Sequence, residues 1–163
     1  MSLSLIAEYL ELSDNFWSGD IPDVFGDYEE LEYFSVAGSD ALTGSIPESI
    51  FLIDTIRFIY MQQCPGLGGT IPNSYVNPPD LRDLYLYSTK ISGNVPPVPA
   101  GKLEKLNEFL IYDTQLTGVM PESLCGLRDE FILDDLWSDC GGANPEIECS
   151  FPDCCNRCFE GGS

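Results

Sequence analysis

The chain has 163 residues, with 27 acidic and 7 basic side chains, no histidine and a formal charge of −20. Such an excess of acid repels phosphate backbones and anionic bilayer surfaces, which excludes nucleic-acid and acidic-membrane binding. The lack of histidine removes Ser-His and Cys-His catalysis. Apolar residues make up 44% of the chain, enough for a continuous core, yet no run of about 18 of them could cross a bilayer as a helix.

The opening MSLSLIAEYL has neither a basic n-region nor a small-residue cleavage site, so it does not read as a secretory leader. A repeating unit starts at Tyr9-Leu10-Glu11-Leu12, passes Asn15 and Trp17, and ends at Gly19-Asp20-Ile21-Pro22. Four more units close on Gly44-Ser-Ile46-Pro47, Gly69-Thr-Ile71-Pro72, Gly93-Asn-Val95-Pro96 and Gly118-Val-Met120-Pro121, with glycines 25, 25, 24 and 25 residues apart. A fixed period of this length marks a solenoid. The fourth unit reads Leu81-x-x-Leu84-x-Leu86-x-x-Thr89-x-Ile91-x-Gly93, and the fifth repeats it from Leu106 to Gly118.

The Leu-x-Leu piece alternates with period two and predicts a short strand. One such strand cannot bury its own apolar face, so neighbouring turns must stack into a parallel sheet with strands about 4.8 Å apart. A small polar residue at the bend can satisfy backbone donors; Asn15, Thr89 and Thr114 fill that place, with Asp40 and Cys64 assigned to it in the second and third turns. Glycine permits the corner and proline begins the return path, where Phe25, Tyr28, Ile50 and Ile53 are apolar spacers. The second and third turns carry one extra residue before their glycine, which predicts local bulges near 37–41 and 62–67.

From Pro121 the pattern changes. Six of the 7 cysteines, Cys125, Cys140, Cys149, Cys154, Cys155 and Cys158, fall in the last stretch. A disulfide-knit cap would close the exposed end of the solenoid, although six cysteines allow fifteen pairings. Zinc held by Cys149, Cys154, Cys155 and Cys158 is the rival reading. Cys64, alone in the ladder, reads as a buried structural thiol. The organisation expected is repeats over 1–136, with a cap over 121–163 that overlaps the last turn.

Between the core positions, the remaining strand residues should face solvent on the concave side. They include Tyr9, Tyr33, Phe58, Tyr60, Arg82, Asp83, Tyr85, Tyr87, Tyr112 and Trp137, and also Ser35 and Leu110. The spacing puts Tyr9, Tyr33 and Phe58 in one column, Tyr60 and Tyr85 in the next with Trp137 continuing it, and Tyr87 with Tyr112 in a third. Rigid aromatic area with a polar tip suits recognition, so these ten residues are the candidate ligand-binding set. Columns of tyrosine also stabilise a sheet by cross-strand packing. No phosphate-cradling loop or kinase motif set is present; no catalytic residue, metal or cofactor is assigned.

The repeat resembles the leucine-rich repeat family in its plant-type form, Leu-x-x-Leu-x-Leu-x-x-Asn-x-Leu-x-Gly-x-Ile-Pro, over about residues 6–136. That resemblance implies an α/β fold, a right-handed β-α superhelix with a short parallel sheet on the concave side. The tail is similar to the Cys-rich end of leucine-rich repeat proteins in diatom-like algae, through Pro121, Glu122, Leu124, Cys125, Leu127, Arg128, Asp139, Cys140, Cys149, Cys154, Cys155 and Cys158. Plant-type repeats further imply an extracytoplasmic setting, often the ectodomain of a receptor-like protein or kinase. Cysteine density agrees with an oxidising compartment. With no leader and no N-terminal cap, the expectation is a piece of a longer secreted or membrane-anchored protein. The expected function is a non-enzymatic recognition module for a protein or peptide, with a basic partner suited to the charge and a glycan second. Alternatives are an inhibitor of a secreted hydrolase and a structural or adhesive wall protein.

Overall fold

In the computed structural model, residues 7–129, 132–143, 146–150 and 154–160 are described here. Each Leu-x-Leu segment becomes a strand of three or four residues: β1 (Tyr9–Glu11), β2 (Tyr33–Ser35), β3 (Phe58–Tyr60), β4 (Asp83–Tyr85), β5 (Glu108–Leu110) and β6 (Asp135–Ser138). A two-residue strand, β7 (Arg157–Cys158), completes a seven-stranded parallel sheet in chain order. The register is one repeat per strand, with Leu10, Phe34, Ile59, Leu84, Phe109 and Leu136 opposite one another. From Phe34 onward this row is fully buried, as are Leu31, Ile56, Leu81 and Leu106 before the strands. Burying one such side chain is worth about 1.5–3 kcal/mol, and the sum over stacked turns is what holds strands this short.

Each of the first five turns leaves its strand through one residue in the left-handed region: Asp14, Gly38, Gln63, Ser88 and Asp113, with φ between 53° and 67°. Its backbone N–H donates to the carbonyl of the next turn, from Asp14 to Ala37 (2.8 Å), Gly38 to Gln62 (3.0 Å), Gln63 to Tyr87 (2.9 Å) and Ser88 to Tyr112 (3.2 Å). The following residue is the polar one. Thr89 and Thr114 hydroxyls donate back to the carbonyls of Leu86 (2.7 Å) and Ile111 (3.0 Å), and the Cys64 thiol donates to Val36 O at 3.3 Å. In the second turn this position is held by Ser39, not by Asp40. Ser39 is fully buried and its hydroxyl has no partner, whereas Asp40 is exposed. The extra residue of turns two and three lies after this corner, which is why counting back from Gly44 missed it by one.

On the far side the return paths are mostly 3-10 turns, at Phe25–Asp27, Glu48–Leu52 and Asn73–Val76, and one α-helix, α1 (Glu122–Asp129). The same three letters, Pro-Glu-Ser, build the same contact twice. Ser49 Oγ accepts from Phe25 N (2.8 Å) and Ser123 Oγ from Val98 N (2.9 Å), each one turn back. Between the two sides run two-residue ladders, Gly19–Asp20 with Leu42–Thr43 and Ser92–Gly93 with Gln115–Leu116. The inserted residues interrupt this strip. The third turn joins it through isolated bridges, Ser45 to Gly68 and Cys64 to Thr89. Gly66 passes so close to the second turn that a Cβ there would lie 2.2 Å from Leu42 O.

The tail closes the solenoid in two places. β7 pairs with β6, and Ile147–Glu148 pairs with Gly118–Val119. Disulfides join Cys125 to Cys154, Cys140 to Cys158 and Cys149 to Cys155. These bonds consume the sulfurs that the zinc alternative needs. Cys64 is free and buried. At the fifth corner the acceptor is a side chain of the sixth turn: the fully buried Asp139 carboxylate takes Asp113 N (2.8 Å) and Thr114 N (3.1 Å). Leu10 and Leu12 are only partly covered, and Tyr9, Phe16 and Trp17 are exposed.

Two pairs of substitutions test these contacts by chemical denaturation. Gly66→Ala should destabilise by about 1–3 kcal/mol through overpacking, whereas Gly26→Ala, whose Cβ would meet nothing within 4 Å, should fall within about 0.5 kcal/mol of the parent. Asp139→Ala strands the buried Thr114 N–H and the part-buried Asp113 N–H and should lose about 1–3 kcal/mol, with Asp139→Asn, which keeps one acceptor oxygen, losing less.

Candidate functional site

The odd positions of the strands form columns across the open face of the sheet. The first column runs Tyr9, Tyr33, Phe58, Asp83, Glu108 and Asp135; the second runs Glu11, Ser35, Tyr60, Tyr85, Leu110, Trp137 and Arg157. Tyr87 and Tyr112 stack as a third, with centroids 4.6 Å apart and planes at 7°. Two expected members are not on the surface. Ser35 and Leu110 are buried, because their flat neighbours Tyr60, Tyr85 and Trp137 are large enough to cover the small side chains beside them in the same column.

The rings touch in an unbroken diagonal series. Tyr9 stacks on Tyr33 at 3.9 Å, Tyr33 meets Tyr60 at 5.4 Å, Tyr60 meets Tyr85 at 4.6 Å, Tyr85 meets Tyr87 at 6.2 Å, and Tyr112 carries the series to Trp137 at 6.0 Å. Phe58 flanks it, 6.4 Å from Tyr33. The hydroxyls are tied to acids of an adjacent turn. Tyr33 donates to Glu11 Oε2 (2.7 Å), Tyr60 to Asp83 Oδ2 (2.8 Å) and Tyr85 to a Glu108 carboxylate oxygen. Burial, reinforced by these bonds to carboxylates, pushes all three phenols well above the usual tyrosine range. They therefore stay protonated donors, and each lattice bond fixes two side chains at once. Burial also raises the Asp83 carboxyl, against the Tyr60 bond that lowers it.

Arg82 is exposed and sits just before β4. With Phe58, Asp83, Lys105, Asn107 and Glu108 it lines a shallow hollow of about 420 Å³ at the strand-entry edge. Next to it Arg57 pairs with Glu32 at 3.1 Å.

The tail adds three residues that repeat-based reading did not find. Phe159 stacks on Tyr112 at 4.1 Å, and the Arg157 guanidinium lies 4.7 Å from the Trp137 ring centroid. Asn156 holds β6 through Leu136 N (2.9 Å) and Asp135 Oδ1 (2.8 Å). Nothing in the tail resembles Leu-x-x-Leu-x-Leu. The one local signal is the alternation Arg157-Cys158-Phe159, with the polar and aromatic residues on either side of a bridged cysteine.

No protein-family model matches the chain, and no curated protein does. Solved structures do. The chain is similar to the leucine-rich repeat ectodomain of the Arabidopsis thaliana membrane receptor kinase GASSHO1/SCHENGEN3, solved with CASPARIAN STRIP INTEGRITY FACTOR 2, at 32% identity and a TM-score of 0.68, over 74% of this chain and 14% of that one. It is similar to the Arabidopsis receptor kinase HAESA, solved with the peptide hormone IDA and the co-receptor SERK1, at 30% identity and a TM-score of 0.71, over 78% of this chain and 20% of that one. Pollen Receptor Kinase 3 shares the fold, at 20% identity and a TM-score of 0.69, over 85% of this chain and 62% of that one. The fold is thus that of a plant-type leucine-rich repeat ectodomain, and the chain spans a fifth or less of the length of the first two. The three disulfides fit an extracellular location. No helix among the described residues is long and apolar enough to cross a membrane.

The lattice predicts an alkaline signature. A phenol whose folded pKa is raised contributes stability that is fully present below its unfolded value near 10 and is lost as pH rises toward the folded value. In absorbance titration at 295 nm, Tyr33, Tyr60 and Tyr85 should stay silent past pH 11 and then ionise together with cooperative unfolding. Smooth ionisation of every tyrosine near pH 10, with the fold intact, would contradict the lattice.

Proposed function

We propose that this chain is a non-enzymatic recognition module that takes an extended protein or peptide segment across the open face of its sheet, as part of an extracellular receptor-like protein. The observation that carries this reading is the unbroken ring series held by tyrosine–carboxylate bonds. Rings fixed in this way lose little entropy on binding, which is the cost that most weakens association. The hydroxyls of Tyr33, Tyr60 and Tyr85 are already engaged, so what these rings offer a ligand is flat apolar area, with carboxylates of Glu11, Asp83, Glu108 and Asp135 beside it. That combination suits a segment carrying lysine or arginine next to apolar residues. The similar receptor kinase HAESA was solved with the peptide hormone IDA, which supports a peptide in preference to a glycan.

A net charge of −20 favours a second reading, an inhibitor that clamps a basic secreted hydrolase. The two differ in salt dependence, because an interface built on opposite surface charge weakens steeply with ionic strength.

The test is saturable binding of the folded chain to an array of random 12-residue peptides enriched in lysine, arginine and aromatic residues, measured with the parent, Tyr87→Ala and Tyr112→Ala. Affinity for the parent's best peptides should fall at least tenfold in the variants, the scale of a hot-spot residue, while Tm moves by a few degrees. Unchanged affinity in both variants, or a parent that binds no peptide, would count against the face as the site.

A further inference from the structure

We propose that the Cys140–Cys158 disulfide is a redox tether, whose reduction by an external dithiol releases the tail strand from the open face and dismantles one end of the ring series. This rests on the recognition reading for its consequence, but its geometry stands separately.

β7 is two residues long, lies at the edge of the sheet and has one neighbouring strand, β6. Such a strand has little hold of its own. Cys158 sits in it between Arg157 and Phe159, the residues that reach Trp137 and Tyr112. Cys158 is exposed, so a reductant can reach its sulfur. The Cys125–Cys154 bridge is protected, with its two residues 5% and 3% exposed. The three disulfides therefore differ in access, and access sets the order of exchange.

A second feature favours a switch over plain loss. The sulfurs of Cys140, Cys149 and Cys155 all lie within 4.8 Å of one another. The chemistry runs in two steps. A thiolate of the dithiol attacks Cys158 Sγ, and the Cys140 sulfur departs as thiolate. The second thiol of the reductant then attacks the mixed disulfide and gives its proton to the Cys158 sulfur, leaving Cys158 as a thiol, Cys140 as a thiolate and the reductant as its internal disulfide, with two electrons and one proton passed to the protein. The Cys140 thiolate next attacks the Cys149–Cys155 bond, forming a new bridge to one sulfur and expelling the other as thiolate, with no further electrons used.

Replacing Trp17 by Phe leaves Trp137 as the sole tryptophan of the full chain. Stepwise dithiothreitol, alkylation and mass mapping should label Cys158 before Cys125 or Cys154. In parallel, Trp137 emission should shift to the red by several nanometres as Arg157 and Phe159 leave it. Cys140→Ser with Cys158→Ser should show that shift without reductant, while Phe159→Ala, with all disulfides intact, should show part of it. If the double variant fails to fold, thiol mapping and emission of the Trp17→Phe chain decide alone. Opening of Cys125–Cys154 before Cys140–Cys158, or native Trp137 emission once Cys158 is labelled, would overturn the tether. Neither readout contains a ligand, so they decide it whether or not peptide binding is found.

Discussion

A strand of three residues has no stability of its own, and everything else in this molecule follows from how that deficit is met. Each turn is held by the next, through apolar residues buried between strands and through one backbone N–H at the corner. That corner bond runs from a left-handed residue to a carbonyl one turn on, four times in succession. It explains why residues as different as Asp14, Gly38, Gln63 and Ser88 occupy equivalent places. The backbone makes the contact, so the side chain is free to vary, and sequence similarity at that position is lost while geometry is kept.

A structure built from neighbour contacts must end somewhere. At the C-terminal end, in the turn that carries β6, the Asp139 carboxylate takes the place of a backbone carbonyl, its two oxygens accepting from Asp113 N and Thr114 N. The cysteines then fasten the chain that carries Asp139 and β7. A disulfide closing loops of this size contributes about 3 kcal/mol, comparable with one fully buried leucine side chain, and the tail has too few apolar residues to hold itself by burial alone. Sulfur thus substitutes for core where core runs out. At the other end the apolar hollow beside Leu10, Leu12 and Trp17 is about 380 Å³ and lined mainly by carbon.

The open face shows one set of residues serving two demands. Tyrosines in adjacent strands pack on each other and bond to acids a turn away, which stabilises the sheet. The same packing fixes rings and carboxylates in a pattern that a ligand can read. Stability and recognition are therefore coupled here, most tightly at Tyr60 and Tyr85, which contact each other and each donate to an acid. Tyr87 and Tyr112 are stacked without such a bond to an acid, so they separate the two roles more cleanly.

By itself the sequence determined the repeat length, the strand positions, the buried row and the columns of Tyr9, Tyr33 and Phe58 or Tyr60 and Tyr85, because all of these follow from a period of about 25 and an alternation of two. Local spacing sufficed, since each turn meets only its neighbours. Tertiary structure alone decided that Ser39 fills the second corner, that Ser35 and Leu110 are covered, which cysteines join, and that Arg157 and Phe159 extend the ring series. The physical reason is the same in each case. These outcomes depend on residues brought together outside the repeat, by an inserted residue, by the bulk of a neighbouring ring or by a tail that carries no period, and spacing along the chain does not encode such contacts.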